Sequence, residues 1–150
     1  AKHLLTKHHT QNADALELYQ KGRFEWNKRS HQGMIEAERL FRNAIEKDPN
    51  FALAYSGLAD RLATNGKNDH ALLAVQKALE LDPNLAEAHA TLGFIRLFHE
   101  WQWREAENAF KKSIELNPNY ATAYHWYAQA LTVQGKHEEA KRQMRRALEI

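Results

Sequence analysis

The chain has no cysteine, and its 150 residues hold only three prolines, six glycines and two methionines. Without cysteine there is no disulfide, no thiolate nucleophile and no Cys-ligated zinc, and the redox compartment stays undecided. No apolar run approaches the roughly 18 residues of a membrane span, and no secretory-leader pattern opens the sequence. A surplus of one charge is lacking too. Twenty-one basic residues face 19 acidic ones, for a net charge of +2, and no third of the chain departs further from neutrality. That leaves no polybasic arm of the kind that grips nucleic acid or an anionic membrane. These absences lead us to expect no nucleic acid and no membrane as partner. They fit a cytoplasmic location, with the periplasm left open.

What the chain does have is a phrase that recurs. Asp48-Pro49-Asn50-Phe51-Ala52-Leu53-Ala54-Tyr55 returns as Asp82-Pro83-Asn84-Leu85-Ala86-Glu87-Ala88-His89, and again as Asn117-Pro118-Asn119-Tyr120-Ala121-Thr122-Ala123-Tyr124. The phrases hold all three prolines, 34 and 35 residues apart. Before each lies one apolar pattern, ending Ala44-Ile45-Glu46-Lys47, Ala78-Leu79-Glu80-Leu81 and Ser113-Ile114-Glu115-Leu116. A period of that length, with helical spacing on both sides, marks a helical repeat array. We expect an all-α fold, a right-handed superhelix of stacked antiparallel helix pairs. Residues 1–12 read as a leading segment, helical at most around Leu4 and Leu5. The array then fills 13–150, as repeats at about 13–50 (degenerate), 51–84, 85–119 and 120–150 (truncated). The chain starts at Ala1 and stops at Ile150, where earlier copies run on into Asp-Pro or Asn-Pro, so we expect a fragment of a longer protein.

Periodicity places the first helix from Ala13 to about Arg29, with Leu16, Tyr19 and either Phe24 or Arg23 on its apolar side. Ser30-His31-Gln32-Gly33 reads as the break, and Met34–Lys47 as the partner, with Ala37, Leu40, Phe41, Ala44 and Ile45 inward. Pro49 ends one helix by restricting its predecessor, and it suits the first turn of the next. The residue ahead of each proline (Asp48, Asp82, Asn117) is expected to accept N–H groups at that helix start. Gly66 and Gly135 fall where a left-handed C-cap favours glycine. The third pair has His99-Glu100-Trp101-Gln102-Trp103 there instead, one residue longer.

These residues resemble the tetratricopeptide repeat (TPR) family, whose pattern is Trp-x2-Leu-Gly-x2-Tyr, Ala-x3-Phe and Pro over 34 residues. Tyr55, Leu58, Ala59, Leu62, Ala71, Val75, Ala78 and Pro83 occupy those places in the second repeat. His89, Leu92, Gly93, Arg96, Ala106, Phe110, Ser113 and Pro118 do so in the third, and Tyr124, Tyr127, Ala128, Leu131, Ala140, Met144 and Ala147 in the fourth. In the degenerate first repeat, Leu16, Tyr19, Gln20, Arg23, Ala37, Phe41, Ala44 and Pro49 take them. The small residues Ala59, Gly93 and Ala128 mark close helix crossings, where a larger side chain overpacks. The run from Asn12 to Arg29 also resembles the opening of the TPR region in bacterial multidomain signalling and transcriptional regulators. That resemblance implies the sensing or interaction arm of such a protein, although no effector motif is present.

Catalysis is not expected: no Ser–His–acid set or carboxylate pair can be extracted. No cofactor or metal is expected either. His99-Glu100-x-x-Trp103 lacks the second histidine of the zinc motif H-E-x-x-H, and His3, His8 and His9 sit near one end of the chain. The family likeness implies a concave face lined by the first helix of each pair. Transferred to this sequence, it makes Ser56, Asp60, Phe94, Phe98, His125 and Gln129 groove candidates. Trp101 and Trp103 are further aromatic anchor candidates, because tryptophan is enriched in binding hot spots; each has packing between repeats as its alternative. The chaperone-tail groove of the family needs Lys and Asn at inward places that here hold Ser56, Asp60, Thr91, Thr122 and Trp126. Three functions stay open: a scaffold binding a peptide or helix, a small-molecule sensor, and an RNA-binding helical repeat. Weak self-association through the Tyr120–Glu149 pair is expected in addition.

Overall fold

The computed structural model describes residues 10–98 and 101–150, and the expectations for Leu4, Leu5, His3, His8, His9, His99 and Glu100 lie outside them. Among the described residues there are eight α-helices and no strand. They are α1 (Ala13–Asn27), α2 (His31–Lys47), α3 (Ala52–Thr64), α4 (Asn68–Leu81), α5 (Ala86–Phe98), α6 (Trp103–Leu116), α7 (Ala121–Val133) and α8 (His137–Glu149). Consecutive helices pack in pairs, and the chain divides into two compact units, one ending at Pro83 and the other starting at Asn84.

In the first unit, α1 pairs with α2 and α3 with α4, while α3 also packs against α2 and touches α1. Asn12 caps α1, its side chain accepting from Ala15 N at 3.0 Å and donating to Lys47 O at 3.1 Å, which ties the start of α1 to the end of α2. Ala15, Gly22 and Trp26 are buried and Tyr19 is half-buried, a stripe at helical spacing. Phe24 points to solvent, 64% exposed, so the choice between Phe24 and Arg23 falls to Arg23. The expected stripe of α2 holds, with Ala37, Leu40, Phe41 and Ala44 buried and Ile45 half-buried. Tyr19 bridges the rings of Phe41 (5.9 Å) and Phe51 (5.4 Å).

The break between α1 and α2 is shorter than expected. Helix α1 ends at Asn27, Arg29 takes a left-handed conformation (φ 53°), and Ser30 caps α2 by accepting from Gly33 N at 3.0 Å. Gly33 is therefore inside the helix, and it is there for proximity: a Cβ would lie 2.6 Å from the Glu25 carbonyl oxygen. The small position of the first repeat also differs from expectation. It is Gly22, whose would-be Cβ lies 2.6 Å from the Phe41 ring, whereas Gln20 is exposed.

The second unit repeats the plan: α5 pairs with α6, α7 with α8, and α7 packs on α6 and touches α5. Gly93 meets Phe110 as Gly22 meets Phe41, with 2.7 Å from a would-be Cβ to the ring. Ser113, buried at an alanine place of the pattern, donates to Ala86 O at 2.7 Å and so satisfies its hydroxyl.

The proline phrases are turns rather than helix starts. Phe51 N donates to Asp48 O (3.1 Å) and Tyr120 N to Asn117 O (3.2 Å), and each following helix begins only at Ala52 or Ala121. The side chains of Asp48 and Asn117 accept from the turn amides of Asn50 (3.0 Å) and Asn119 (3.1 Å), so they brace the turn and do not cap the helix. Pro49 and Pro118 occupy the second turn position, which favours proline's fixed φ. Tyr55 and Tyr124 then donate back to Pro49 O (3.0 Å) and Pro118 O (2.8 Å). Gly66 and Gly135 are left-handed as expected, with φ of 75° and 76°.

Candidate functional site

Helices α5 and α7 lie side by side in the second unit, so equivalent residues of consecutive repeats come together. Phe94 and Phe98 share one face of α5, one turn apart, with ring centroids 4.6 Å apart. From α7, Trp126 brings its ring to 4.8 Å from Phe94. Trp126 is 5% exposed and Phe98 38%, so the cluster runs from a buried indole to an open phenyl edge. On α7, one turn apart, His125 is exposed and Gln129 half-buried, with the Gln129 Nε2 and His125 Nε2 atoms 3.2 Å apart. Gln129 donates when that ring nitrogen is unprotonated, which leaves the amide oxygen as an acceptor. The structure thus brings Phe94, Phe98, His125 and Gln129 into one unit, on two touching helices. Trp126 joins the cluster from an inward position of the repeat, outside the groove candidates that the sequence points to. Its period of 35 from Thr91 is the signal that locates it.

Ser56 and Asp60 are a correction. They are 1% and 0% exposed, so neither side chain is presented to solvent. Asp60 accepts from Arg23 of α1 at 2.8 Å, and that guanidinium lies over the Trp26 ring at 4.7 Å. The pair fills, in the first unit, the row that Phe94 and Gln129 fill in the second. Asp60 is therefore part of the packing between α1 and α3. Ser56 Oγ is buried among the helices without a hydrogen-bond partner in the described residues.

Trp101 occupies the place of Gly66 and Gly135 in its own turn, and it keeps their left-handed backbone, with φ of 52°. Its side chain is 70% exposed, so packing between repeats is excluded for it. Gln102 N reaches back to Arg96 O at 2.9 Å, six residues, where Lys67 and Lys136 reach back five to Leu62 and Leu131. The inserted residue is absorbed there. Trp103 opens α6 and is half-buried. Among the described residues, no three of the His, Asp and Glu side chains converge as a metal site, and no helix is long and apolar enough to cross a membrane.

Helix pairs repeated at 34 or 35 residues define a helical repeat protein. The tetratricopeptide repeat sequence pattern matches residues 36–86 and 109–142, and the chain belongs to that family. The family's fold is in general a non-catalytic scaffold for protein–protein interaction. Among curated relatives, the chain is similar to the protein O-mannosyl-transferase Tmtc2 of Drosophila melanogaster. The two are 32% identical over 102 residues, covering 65% of this chain and 11% of that protein. It is also similar to the transcriptional regulator HilA of Salmonella typhimurium, 27% identical over 146 residues, 91% of this chain and 26% of that protein. The chain thus spans less than a third of the length of these relatives. Its fold matches the thermophilic TPR protein TTC0263 of Thermus thermophilus with a TM-score of 0.72 at 17% identity, over 89% of this chain and 73% of that one. It matches the first TPR of Spaghetti (RPAP3), bound to the HSP90 peptide SRMEEVD, with a TM-score of 0.64 at 20% identity, over 85% and 98%.

Proposed function

We propose that this chain is the interaction or sensing arm of a larger bacterial regulator, and that the inner face of its second unit takes a peptide or helix from a partner. The likeness to HilA, spread over 91% of the chain, supports the first part. The observation that carries the second is the Phe98–Phe94–Trp126 cluster, left open at Phe98 and edged by the His125–Gln129 pair. Large apolar rings beside a polar pair suit an apolar side chain of the partner with a backbone group hydrogen-bonded next to it. Glu87, half-buried on α5, adds the face's acid, and the face carries no lysine or arginine at the inward places. A partner of neutral or basic character is favoured over a carboxylate tail such as that of the peptide bound by RPAP3.

The test replaces Phe94, His125 and Gln129 together by alanine and measures capture of peptides selected from a random library on the unaltered chain. Circular dichroism checks folding. Loss of capture by the folded variant supports the reading, and unchanged capture refutes it.

A further inference from the structure

The inner faces of the two units are laid out in opposite order. The first helix of each pair presents a stripe at spacing i, i+7, i+11, which returns to one side of a 3.6-residue helix. In the first unit the stripes begin at Leu16 on α1 and Leu53 on α3, and they end at Asn27 and Thr64. In the second unit they begin at Glu87 on α5 and Thr122 on α7, and they end at Phe98 and Val133. All four starting residues are half-buried and all four ending residues are exposed. That exposure therefore belongs to the place in the repeat, not to any one helix.

In the second unit the two ends of the stripe differ in chemistry. Phe98 and Val133, 38% and 49% exposed, form an apolar end one turn beyond Phe94 and Gln129. At the other end, the Glu87 backbone oxygen accepts from Thr91 Oγ1 at 3.0 Å, but its carboxylate has no partner among the described residues. An acid in the first turn of a helix is ordinary, since it complements the helix dipole. Asp14, Asp69, Glu105 and Glu138 do this from exposed positions, whereas Glu87 does it half-buried and on the inner stripe. A carboxylate partly withdrawn from water attracts a cation more strongly than an exposed one. The step from Glu87 to Phe98 is about 16 Å of helix. An extended chain covers it in about five residues. Between the two ends lies the Gln129 amide, which can serve the unpaired N–H and C=O groups of an extended backbone; those of a helix are bonded internally.

We propose, resting on the peptide site assigned to this face, that its occupant is an extended segment carrying a lysine or arginine about five residues from a large apolar side chain. The cation meets Glu87 and Thr122 at the start of α5 and α7. The apolar group meets Phe98 and Val133 at their ends, against Phe94. The layout thus selects by the order and spacing of charge and bulk, and the first unit, with its apolar start and polar end, does not offer the same order.

The test uses synthetic peptides capped at both ends, with serine at every other position, and follows amide chemical shifts of the whole chain. One peptide carries lysine and phenylalanine about five residues apart. A second carries glutamate for the lysine, and a third has the lysine and phenylalanine side by side. The first is expected to shift Glu87 and Phe98 together and to bind severalfold tighter than the other two. Glu87→Gln should remove the preference for lysine, Glu87→Lys should reverse it, and Phe98→Ser should weaken the lysine and glutamate peptides alike. Equal affinity for those two peptides, or a lysine preference that survives Glu87→Gln, overturns the proposal and leaves the peptide site standing. So does a library-selected peptide that shifts α5 and α7 while these probes shift nothing. If no peptide shifts α5 or α7, the peptide site itself falls and this proposal falls with it.

Discussion

At Gly93 the space for one hydrogen atom decides the packing of a helix pair. The pairs show a size rule at this crossing: Gly22 and Gly93 face Phe41 and Phe110, while Ala59 and Ala128 stand in pairs that carry Val75 and Met144 at the phenylalanine's place. Gly93→Ala should therefore cost about 1–3 kcal/mol by overpacking the Phe110 ring, as read by urea denaturation. Adding Phe110→Met should return a large part of that loss, a coupling that a double-mutant cycle measures. At the ion pair between α1 and α3, Asp60→Ala should cost roughly 1.5–3 kcal/mol, because it removes a charge-assisted hydrogen bond to Arg23 from a fully buried carboxylate site. Ser56→Ala, which removes an unpartnered buried hydroxyl, should be neutral or stabilising. The small-residue rule was legible in the sequence at Gly93, where neighbouring copies fix the alignment. It was not legible at Gly22, because the stretch from Gly22 to Ala37 is three residues longer than from Ala59 to Ala71. The burial of Asp60 was hidden for a different reason: its partner, Arg23, is 37 residues away and belongs to the degenerate copy.

At the scale of the element, the turns differ more than the helices. A left-handed non-glycine residue costs roughly 1–2 kcal/mol, and Trp101 bears that cost where the two flanking repeats use Gly66 and Gly135. Trp101→Gly should thus leave thermal stability unchanged or raise it. If the exposed ring is an anchor for the partner, peptide capture falls in the same variant. Proline spacing revealed where each helix pair ends, since proline restricts its neighbours whatever the tertiary context. It did not reveal that the following helix waits until Ala52 or Ala121, because an Asp or Asn side chain serves an Asx turn as readily as a helix cap.

At the scale of the whole molecule, the two units differ in their inner rows. The first closes its inner row with Arg23 and Asp60, and the second keeps an aromatic cluster open at Phe98. Stability in the second unit should follow pH through the α6–α7 contact. The hydrogen bond from Lys111, against partial burial and aided by Tyr127 and Lys136, holds the Glu107 carboxyl below its ordinary range. Burial first, and then the Glu107 and Glu139 carboxylates, push the Tyr127 hydroxyl well above the ordinary tyrosine value. The depressed carboxyl contributes stability above its unfolded pKa, which is lost as pH falls through its folded value. The raised hydroxyl contributes below about pH 10 and its contribution is lost as pH rises beyond that point. Tyr127→Phe should therefore flatten the alkaline limb of a stability profile measured by chemical denaturation.

The claim that the second unit's inner face is the binding site is tested most directly by mapping amide chemical shifts of the chain as a library-selected peptide is added. The account predicts shifts gathered on α5 and α7 around Phe94, Phe98, His125 and Gln129, with Ser56, Asp60 and the rest of the first unit unmoved. Shifts centred on α1 and α3, with Phe94 and His125 unmoved, would contradict it.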